Sequence, residues 1–509
     1  MPASASSVTA RSSDTVLALV VLALVSAAFT ALTFVNGWTL WYGDAQANID
    51  IARRVLDSRT PGVYQIGTVW LPLPHALMMP LVRYDALWRN GLAGAIPVAL
   101  CFIFAGTLLF ATVDRLFESS AAAWTAIAVF ALNPNLLYVQ ATPMTEPVFF
   151  AAMAALLYCT VRFRQSDSAG WVFLAGLAGA AAALTRYEGW FLLPFAAAYI
   201  FGASKSSGLG KAILFCLIAG LAPLWWLAHN WYFWGNALEF YNGPWSAQAI
   251  YERQLHSGLP RYPGDHNWTT AFLYFRTAAR DVAGIVPLAI GALGLLVALA
   301  RRVWWPLLFL ALTPAFYIWS MHSGSVPIYV PALWPRSYYN TRYALAVLPL
   351  AAFACGALVS IAREGLLRNL IALTVAIAAL VPWLAYPRPD NWVCWKESQV
   401  NSTARRVWTE QAATDLARDY HGGGIVADFG DLTGIFARAG IPLRETLHEG
   451  NVPAWDGAMR RPDLMLHEEW AVAQQGDTVY KAIAKSPRYA IEHVINVPGA
   501  PPLFIWRRQ

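Results

Sequence analysis

The chain has 509 residues, of which 57% are hydrophobic and only 13% charged, with 24 tryptophans and a formal net charge of +6. Soluble proteins carry about 25% charged residues, so this composition excludes an ordinary soluble enzyme and points to a bilayer. Much of the basic excess falls in short segments between apolar runs, and the charge therefore calls for no nucleic acid.

Eleven uncharged apolar runs cover about residues 15–35, 91–113, 121–138, 147–161, 170–184, 189–203, 212–228, 282–300, 303–320, 344–362 and 369–386. A helix rises ~1.5 Å per residue, so roughly 20 apolar residues cross the hydrocarbon core. The expected fold class is a polytopic α-helical membrane protein with about 11 transmembrane helices in residues 1–386. Arg162 and Arg164, Lys205 and Lys211, Arg301 and Arg302, and Arg363 and Arg368 fall on one side if all eleven runs cross. Arg11 agrees. This predicts a cytoplasmic N-terminus, with the long loops 36–90, 236–281 and 321–343 and the tail after 386 outside. The first run is longer than a usual secretory signal core and reads as a retained anchor. The Ala-rich composition suggests a bacterial inner membrane.

Asp44 follows the first run across the aromatic segment Trp38 to Tyr42. In the setting Trp41-Tyr42-Gly43-Asp44-Ala45, a carboxylate just outside the membrane can meet a lipid head group and take a proton from a hydroxyl. Its simpler role is in the cap region of the helix that follows. Gly43 permits close approach of backbone or substrate. Beyond it, Ile49, Ala52, Val55 and Leu56 lie opposite Asp50, Arg53, Arg54 and Asp57. That pattern predicts an amphipathic helix lying in the interface plane, with Asp50 paired to Arg53 or Arg54. The prolines of Trp70-Leu71-Pro72-Leu73-Pro74-His75 predict no regular helix there. His75 offers a phosphate contact or a structural hydrogen bond.

The third and fourth runs are joined by the polar, proline-broken segment 133–147. Glu146 ends it at the start of an apolar helix, where the helix dipole favours a carboxylate. Its functional reading is a second acid facing the same cavity as Asp44. Arg186 and Glu188 are the only charges between Asp167 and Lys205. Charges so close to hydrocarbon pair, face a cavity or meet a head group. Two readings stay open: a mutual ion pair, and bidentate binding of a phosphate by Arg186. Arg342, in Asn340-Thr341-Arg342-Tyr343, is a second phosphate candidate or an interfacial anchor.

From about residue 387 no apolar run is long enough to cross. Residues 424–429 read as a strand and 431–439 as a helix ending near Gly440, with strands near 470–473, 489–494 and 503–506. Residues 387–509 are therefore expected to form an extracytoplasmic α/β domain. Asp428-Phe429-Gly430 lacks the other elements of a kinase, and His448-Glu449 and His467-Glu468-Glu469 lack zinc-motif spacing. Cys101, Cys159, Cys216 and Cys355 fall in apolar runs, so Cys394 has no partner for a disulfide framework.

These motifs, in this order, resemble the GT-C superfamily of integral-membrane glycosyltransferases, and more closely its branch of protein O-mannosyltransferases and lipid A aminoarabinose transferases. The matching features are Gly43-Asp44-Ala45, Trp70 to His75, Thr145-Glu146, Leu184-Thr185-Arg186-Tyr187-Glu188-Gly189, His229 to Asn236, and Arg342-Tyr343. They span about residues 15–386. The resemblance implies inverting transfer of a sugar from a polyprenyl-phosphate donor to a lipid, glycan or protein acceptor on the outer face. It implies Asp44 as general base, Arg186 and Arg342 as phosphate stabilisers, and Glu146, Glu188, His75 and Tyr343 as substrate contacts. The 236–281 loop, with Asn242, Trp245, Arg253 and Tyr262, becomes a mobile lid. One departure is that Ala45 stands where many relatives carry a second acid. No cofactor is otherwise implied. A divalent metal is possible, held by Asp44 and Glu146, but the expectation is for none, because two carboxylates make a thin oxygen site. A transporter or flippase is the alternative. It would place ionisable groups near mid-bilayer, whereas the predicted runs contain no Asp, Glu, Lys or Arg.

Overall fold

The computed structural model describes residues 5–324, 326–484 and 486–509, and the side chains of residues 5–12, Arg11 among them, lie outside that description. The chain divides into two compact units. The first takes in the residues up to Asn36, Thr68–Leu73 and Ile96–Glu397. The second takes in Gly37–Gly67, Pro74–Ala95 and Ser398–Gln509.

Every predicted apolar run falls on helix. Seven helical segments are long and apolar enough to cross a membrane alone: Ser13–Val35, Leu92–Phe117, Glu146–Ser166, Gly208–Trp234, Trp304–His322, Thr341–Val359 and Leu366–Ala385. Two bent pairs raise the count to nine if each is one span. Ser120–Ala131 and Pro134–Gln140 meet at 68°, and Trp268–Ala283 and Ile285–Ala300 at 105°. Pro134 causes the first bend, because the residue before a proline is held out of the helical region. Asn133 then caps the second helix, its Oδ1 accepting from Asn135 N at 3.0 Å and Leu136 N at 3.2 Å. Gly284, at φ 87°, breaks the other pair. Among the described residues the count is thus seven to nine, against the expected eleven. The difference lies in Ala169–Ala183 and Tyr187–Ala203, whose 15 and 17 residues fall short of the roughly 20 that span hydrocarbon. With seven or more such helices, the chain is an integral membrane protein.

Helices of the first unit pack through small residues. A Cβ added at Gly294 would lie 1.8 Å from the carbonyl oxygen of Ala354, so glycine sets how closely these two helices approach. The expected 236–281 loop is largely helical, with Glu239–Asn242, Ala247–His256 and Trp268–Ala283.

The second unit contains a five-stranded sheet of order β2-β1-β3-β5-β4. The strands are β1 Ile425–Ala427, β2 Thr446–Leu447, β3 Trp470–Gln474, β4 Tyr489–Ile495 and β5 Leu503–Arg508. β1 runs parallel to β2 and β3, while β5 is antiparallel to β3 and β4. Register pairs Ala471 with Trp506 and Val472 with Ile505. Leu466, Ala471, Val479, Ile483 and Trp506 form part of its core. The strands expected near 425, 470, 489 and 503 are all present, as is the helix that Gly440 ends in a left-handed conformation. The short β2 and the long helix Val393–Asp419 are additions to the sequence reading.

Two expectations for the first loop fail. A helix does form over Gly43–Arg54, but Asp50, Arg53 and Asp57 are buried instead of facing water or head groups. Asp50 accepts from Trp88 Nε1 at 2.7 Å and Gln46 Nε2 at 2.8 Å, not from an arginine. Arg53 pairs with Asp57 and Asp85, each at 2.8 Å, and lies over the Trp88 ring. A buried charge is tolerated when paired and hydrogen-bonded, and that requirement overrides the apparent amphipathic face. The second failure is at the prolines, where Pro72–Val82 is a helix. Pro72 and Pro74 sit in its first turn, whose N–H groups have no intrahelical partners to lose.

Candidate functional site

Five of the seven sequence-predicted site residues converge in the first unit. Glu146 opens the helix Glu146–Ser166, and Arg186 is the N-cap residue of Tyr187–Ala203. Glu188 lies in the first turn of that second helix, and Arg342 and Tyr343 lie in the 3-10 turn Thr341–Val347. Gly189 lets the chain fold back tightly here, since a Cβ would lie 2.3 Å from the carbonyl of Ala182.

Arg186 is held from several directions. Its Nε donates to Glu188 Oε1 at 2.8 Å, Nη1 to Thr145 Oγ1 at 2.6 Å, and Nη2 to the Tyr317 hydroxyl at 2.6 Å. Nη1 also lies 3.2 Å from Glu146 Oε1. The Tyr317 hydroxyl donates in turn to Glu188 Oε1. The mutual ion pair read from sequence is therefore real, but it is one edge of a larger network. Arg342 Nε lies 3.2 Å from the same Glu146 Oε1, and its Nη1 lies 3.2 Å from Glu397 Oε1. The Arg186 and Arg342 guanidinium carbons lie 5.0 and 4.8 Å from the centre of the Tyr343 ring, whose π face favours cations. Tyr317 stacks on Tyr343 with ring centres 5.1 Å apart.

Glu397 and Tyr317 are the members that sequence reasoning missed. Glu397 accepts from Asn340 N at 2.9 Å, from Thr341 N at 2.8 Å and from the Thr341 hydroxyl, fixing the turn that carries Arg342. Burial pushes its carboxyl above the ordinary value, while Arg342 and the Thr341 and Asn340 donors oppose that rise. Its signal was the acid of Lys396-Glu397, which follows the apolar, aromatic stretch Trp392-Val393-Cys394-Trp395. That of Tyr317 was a phenol inside an apolar run, which needs a partner for its hydroxyl.

Glu146 has one oxygen to spare. Oε1 carries both arginines, whereas Oε2 is buried and has no hydrogen-bond partner among the described residues. A buried carboxyl oxygen left without a partner is costly, and a hydroxyl-bearing ligand or water would satisfy it.

Asp44 and His75 belong to the second unit. Asp44 lies in the first turn of Gly43–Arg54 and is half-buried. Arg405 packs beside the preceding residue: a Cβ on Gly43 would meet Arg405 Nη1 at 2.6 Å, and Arg405 Nη2 donates to Trp41 O at 2.5 Å. His75 is fully buried, with Nε2 3.0 Å from Asn48 Oδ1. His448 is likewise buried, stacked 3.9 Å from the Phe429 ring, and Glu449 Oε2 accepts from Phe429 N at 2.9 Å.

Residues 86–229 match the family described as dolichyl-phosphate-mannose-protein mannosyltransferase. That segment carries Glu146, Arg186 and Glu188. The structure of ArnT from Cupriavidus metallidurans, solved bound to undecaprenyl phosphate, superposes with a TM-score of 0.53 over 94% of this chain and 97% of that one, at 13% identity. At that identity the likeness is one of fold: this chain and that ArnT share an architecture over nearly their whole lengths. The oligosaccharyltransferase of Archaeoglobus fulgidus in its apo form aligns with 90% of this chain and 69% of that one, at 12% identity. Its TM-score is 0.46. No curated protein matches the chain in sequence. The GT-C resemblance of the motifs thus agrees with both the family match and the fold.

Proposed function

We propose that this GT-C protein transfers a sugar from a polyprenyl-phosphate donor to a hydroxyl of a lipid, glycan or protein acceptor at the extracytoplasmic face, with inversion. The observation that carries this reading is the convergence of Arg186 and Arg342 on Glu146 Oε1. The ligand of the ArnT structure, a polyprenyl phosphate, supports the donor class.

The acceptor oxygen attacks the sugar's anomeric carbon as the bond to phosphate breaks, and the acceptor proton passes to Asp44. A carboxylate suits that step, because the departing phosphate needs little acid help. The charge growing on the phosphate is stabilised by Arg186 and Arg342, which are preorganised before the donor arrives. An arriving phosphate competes with Glu146 Oε1 for the Arg186 Nη1 hydrogen bond and for the nearby charge of Arg342, whose Nε makes no hydrogen bond among the described residues. Glu146 Oε2 accepts from a sugar or acceptor hydroxyl, and Glu188 and Tyr343 hold the arginines in place. His75, fully buried against Asn48, has a supporting part.

Glu146 does not fit a divalent metal. Its Oε1 already faces two guanidinium cations at 3.2 Å, and a further cation would be repelled.

The orientation proposed places the N-terminus in the cytoplasm of a bacterial inner membrane and the tail outside. Transfer from radiolabelled polyprenyl-phosphate sugars, by the native chain and by Asp44→Asn, tests the mechanism. Loss of at least ~100-fold in the variant, with donor binding kept, supports Asp44 as base. Equal rates refute it.

A further inference from the structure

The helices that carry the arginine cluster have a second feature at their other ends. Glu146 starts the helix Glu146–Ser166, and Val161, Arg164 and Gln165 lie near its end, about 25 Å away at ~1.5 Å per residue. Arg186 precedes the helix Tyr187–Ala203, which closes with Tyr199, Gly202 and Ala203. Tyr317 lies toward the end of Trp304–His322, which Trp304 and Trp305 begin. These far ends surround a cavity of about 530 Å³, which Arg164 and Arg302 also line.

The lining combines cations with aromatic rings. Tyr199 and Trp305 stack face to face, 3.9 Å between centres and 4° from parallel. Arg164 and Arg302 are exposed, and neither has a carboxylate partner among the described residues. Arg164 spends one N–H on Ala203 O at 3.2 Å. The nearby acid Asp167 is already matched by Lys211 at 2.7 Å. Two arginines without counter-charge therefore stand at the mouth of an aromatic cavity, at one end of membrane-spanning helices. Basic pockets between such helices suit anionic lipid head groups, and aromatic rings suit the head-group layer.

We propose that this cavity binds the phosphate head group of an anionic membrane lipid, with Arg164 and Arg302 on the phosphate and Trp304, Trp305 and Tyr199 against the glycerol and upper acyl chain. The site lies at the opposite end of the helices from the Arg186–Arg342 cluster and does not depend on glycosyl transfer.

The test uses the full chain in neutral detergent, with binding read by native mass spectrometry and by the shift in thermal unfolding. The probes are phosphatidylglycerol, phosphatidylcholine and inorganic phosphate. Phosphatidylglycerol is expected to bind roughly tenfold or more tightly than phosphatidylcholine, and R164Q/R302Q to lose roughly that factor. R164K/R302K keeps most of the binding. R363Q/R368Q, which removes the same charge from a different basic loop, stays within about twofold of native. Because Arg164 and Arg302 are exposed, the unliganded melting temperature of R164Q/R302Q should match native. Equal affinity of native chain and R164Q/R302Q overturns the proposal, as does equal affinity for the two lipids. Full displacement of phosphatidylglycerol by inorganic phosphate at comparable concentration overturns the lipid assignment in favour of a free anion.

Discussion

Arg186 and Arg342 meet on a single atom, Glu146 Oε1, which lies 3.2 Å from Arg186 Nη1 and 3.2 Å from Arg342 Nε. Two cations so close repel each other, and the carboxylates of Glu146, Glu188 and Glu397 offset that repulsion. A phosphate could take over that bridging role.

Glu146→Gln removes the shared charge and leaves two guanidiniums facing a neutral amide. Breaking a buried ion pair from one side costs about 3–5 kcal/mol, so the melting temperature in detergent should fall. Donor turnover should drop at least ~100-fold, as for loss of a preorganised electrostatic group. Unchanged turnover in a folded variant would remove Glu146 from the site.

Glu397→Gln keeps the shape of the side chain but takes from Arg342 the carboxylate that lies 3.2 Å from its Nη1. Glu397 acts through Arg342, so the expected effect is a donor KM raised several-fold with a smaller change in kcat. Glu397→Asp should recover part of it. A melting shift without any change in KM would mark Glu397 as structural only.

His448 makes a pH prediction. Its Nδ1 accepts from Gly450 N at 3.0 Å, which leaves the ring proton on Nε2, 3.3 Å from Ser58 Oγ. Burial holds its pKa well below 6.5, and Arg54 and Arg59 push the same way. The folded protein keeps this ring neutral while the unfolded chain protonates it. Its contribution is therefore present above about pH 6.5 and lost as pH falls, by up to about 1.4 kcal/mol per pH unit. Melting temperatures between pH 7.5 and 5 should show that slope in the native chain and a shallower one in His448→Gln. Parallel slopes would contradict it.

The proposed orientation is checked by cysteine labelling after the native cysteines are replaced. A membrane-impermeant maleimide applied from the periplasmic side should label Leu259→Cys and not Ser206→Cys. The reverse pattern would invert the chain.

The runs that became helices were legible because apolarity over about 20 residues is a local property of the sequence. Glu146, Arg186, Glu188 and Arg342 were legible because charge beside hydrocarbon is rare and needs a reason. Burial by distant segments was not legible. Asp50 and Arg53 follow a surface-like spacing, yet Trp88, Asp57 and Asp85 satisfy them inside the fold. Glu397 sits on a helix in the tail that was expected to be a separate domain, and only folding brings it to Thr341 and Arg342. Pro72 and Pro74 were read as helix breakers because the frame of the first turn was unknown.

The most direct measurement is sugar transfer from a panel of polyprenyl-phosphate donors by the native chain and by Arg342→Gln, with folding monitored in both. The account predicts turnover of at least one donor by the native chain and a loss of ~100-fold or more in the variant. Equal turnover by both, or no turnover of any donor with lipid, glycan and protein acceptors supplied, would contradict it.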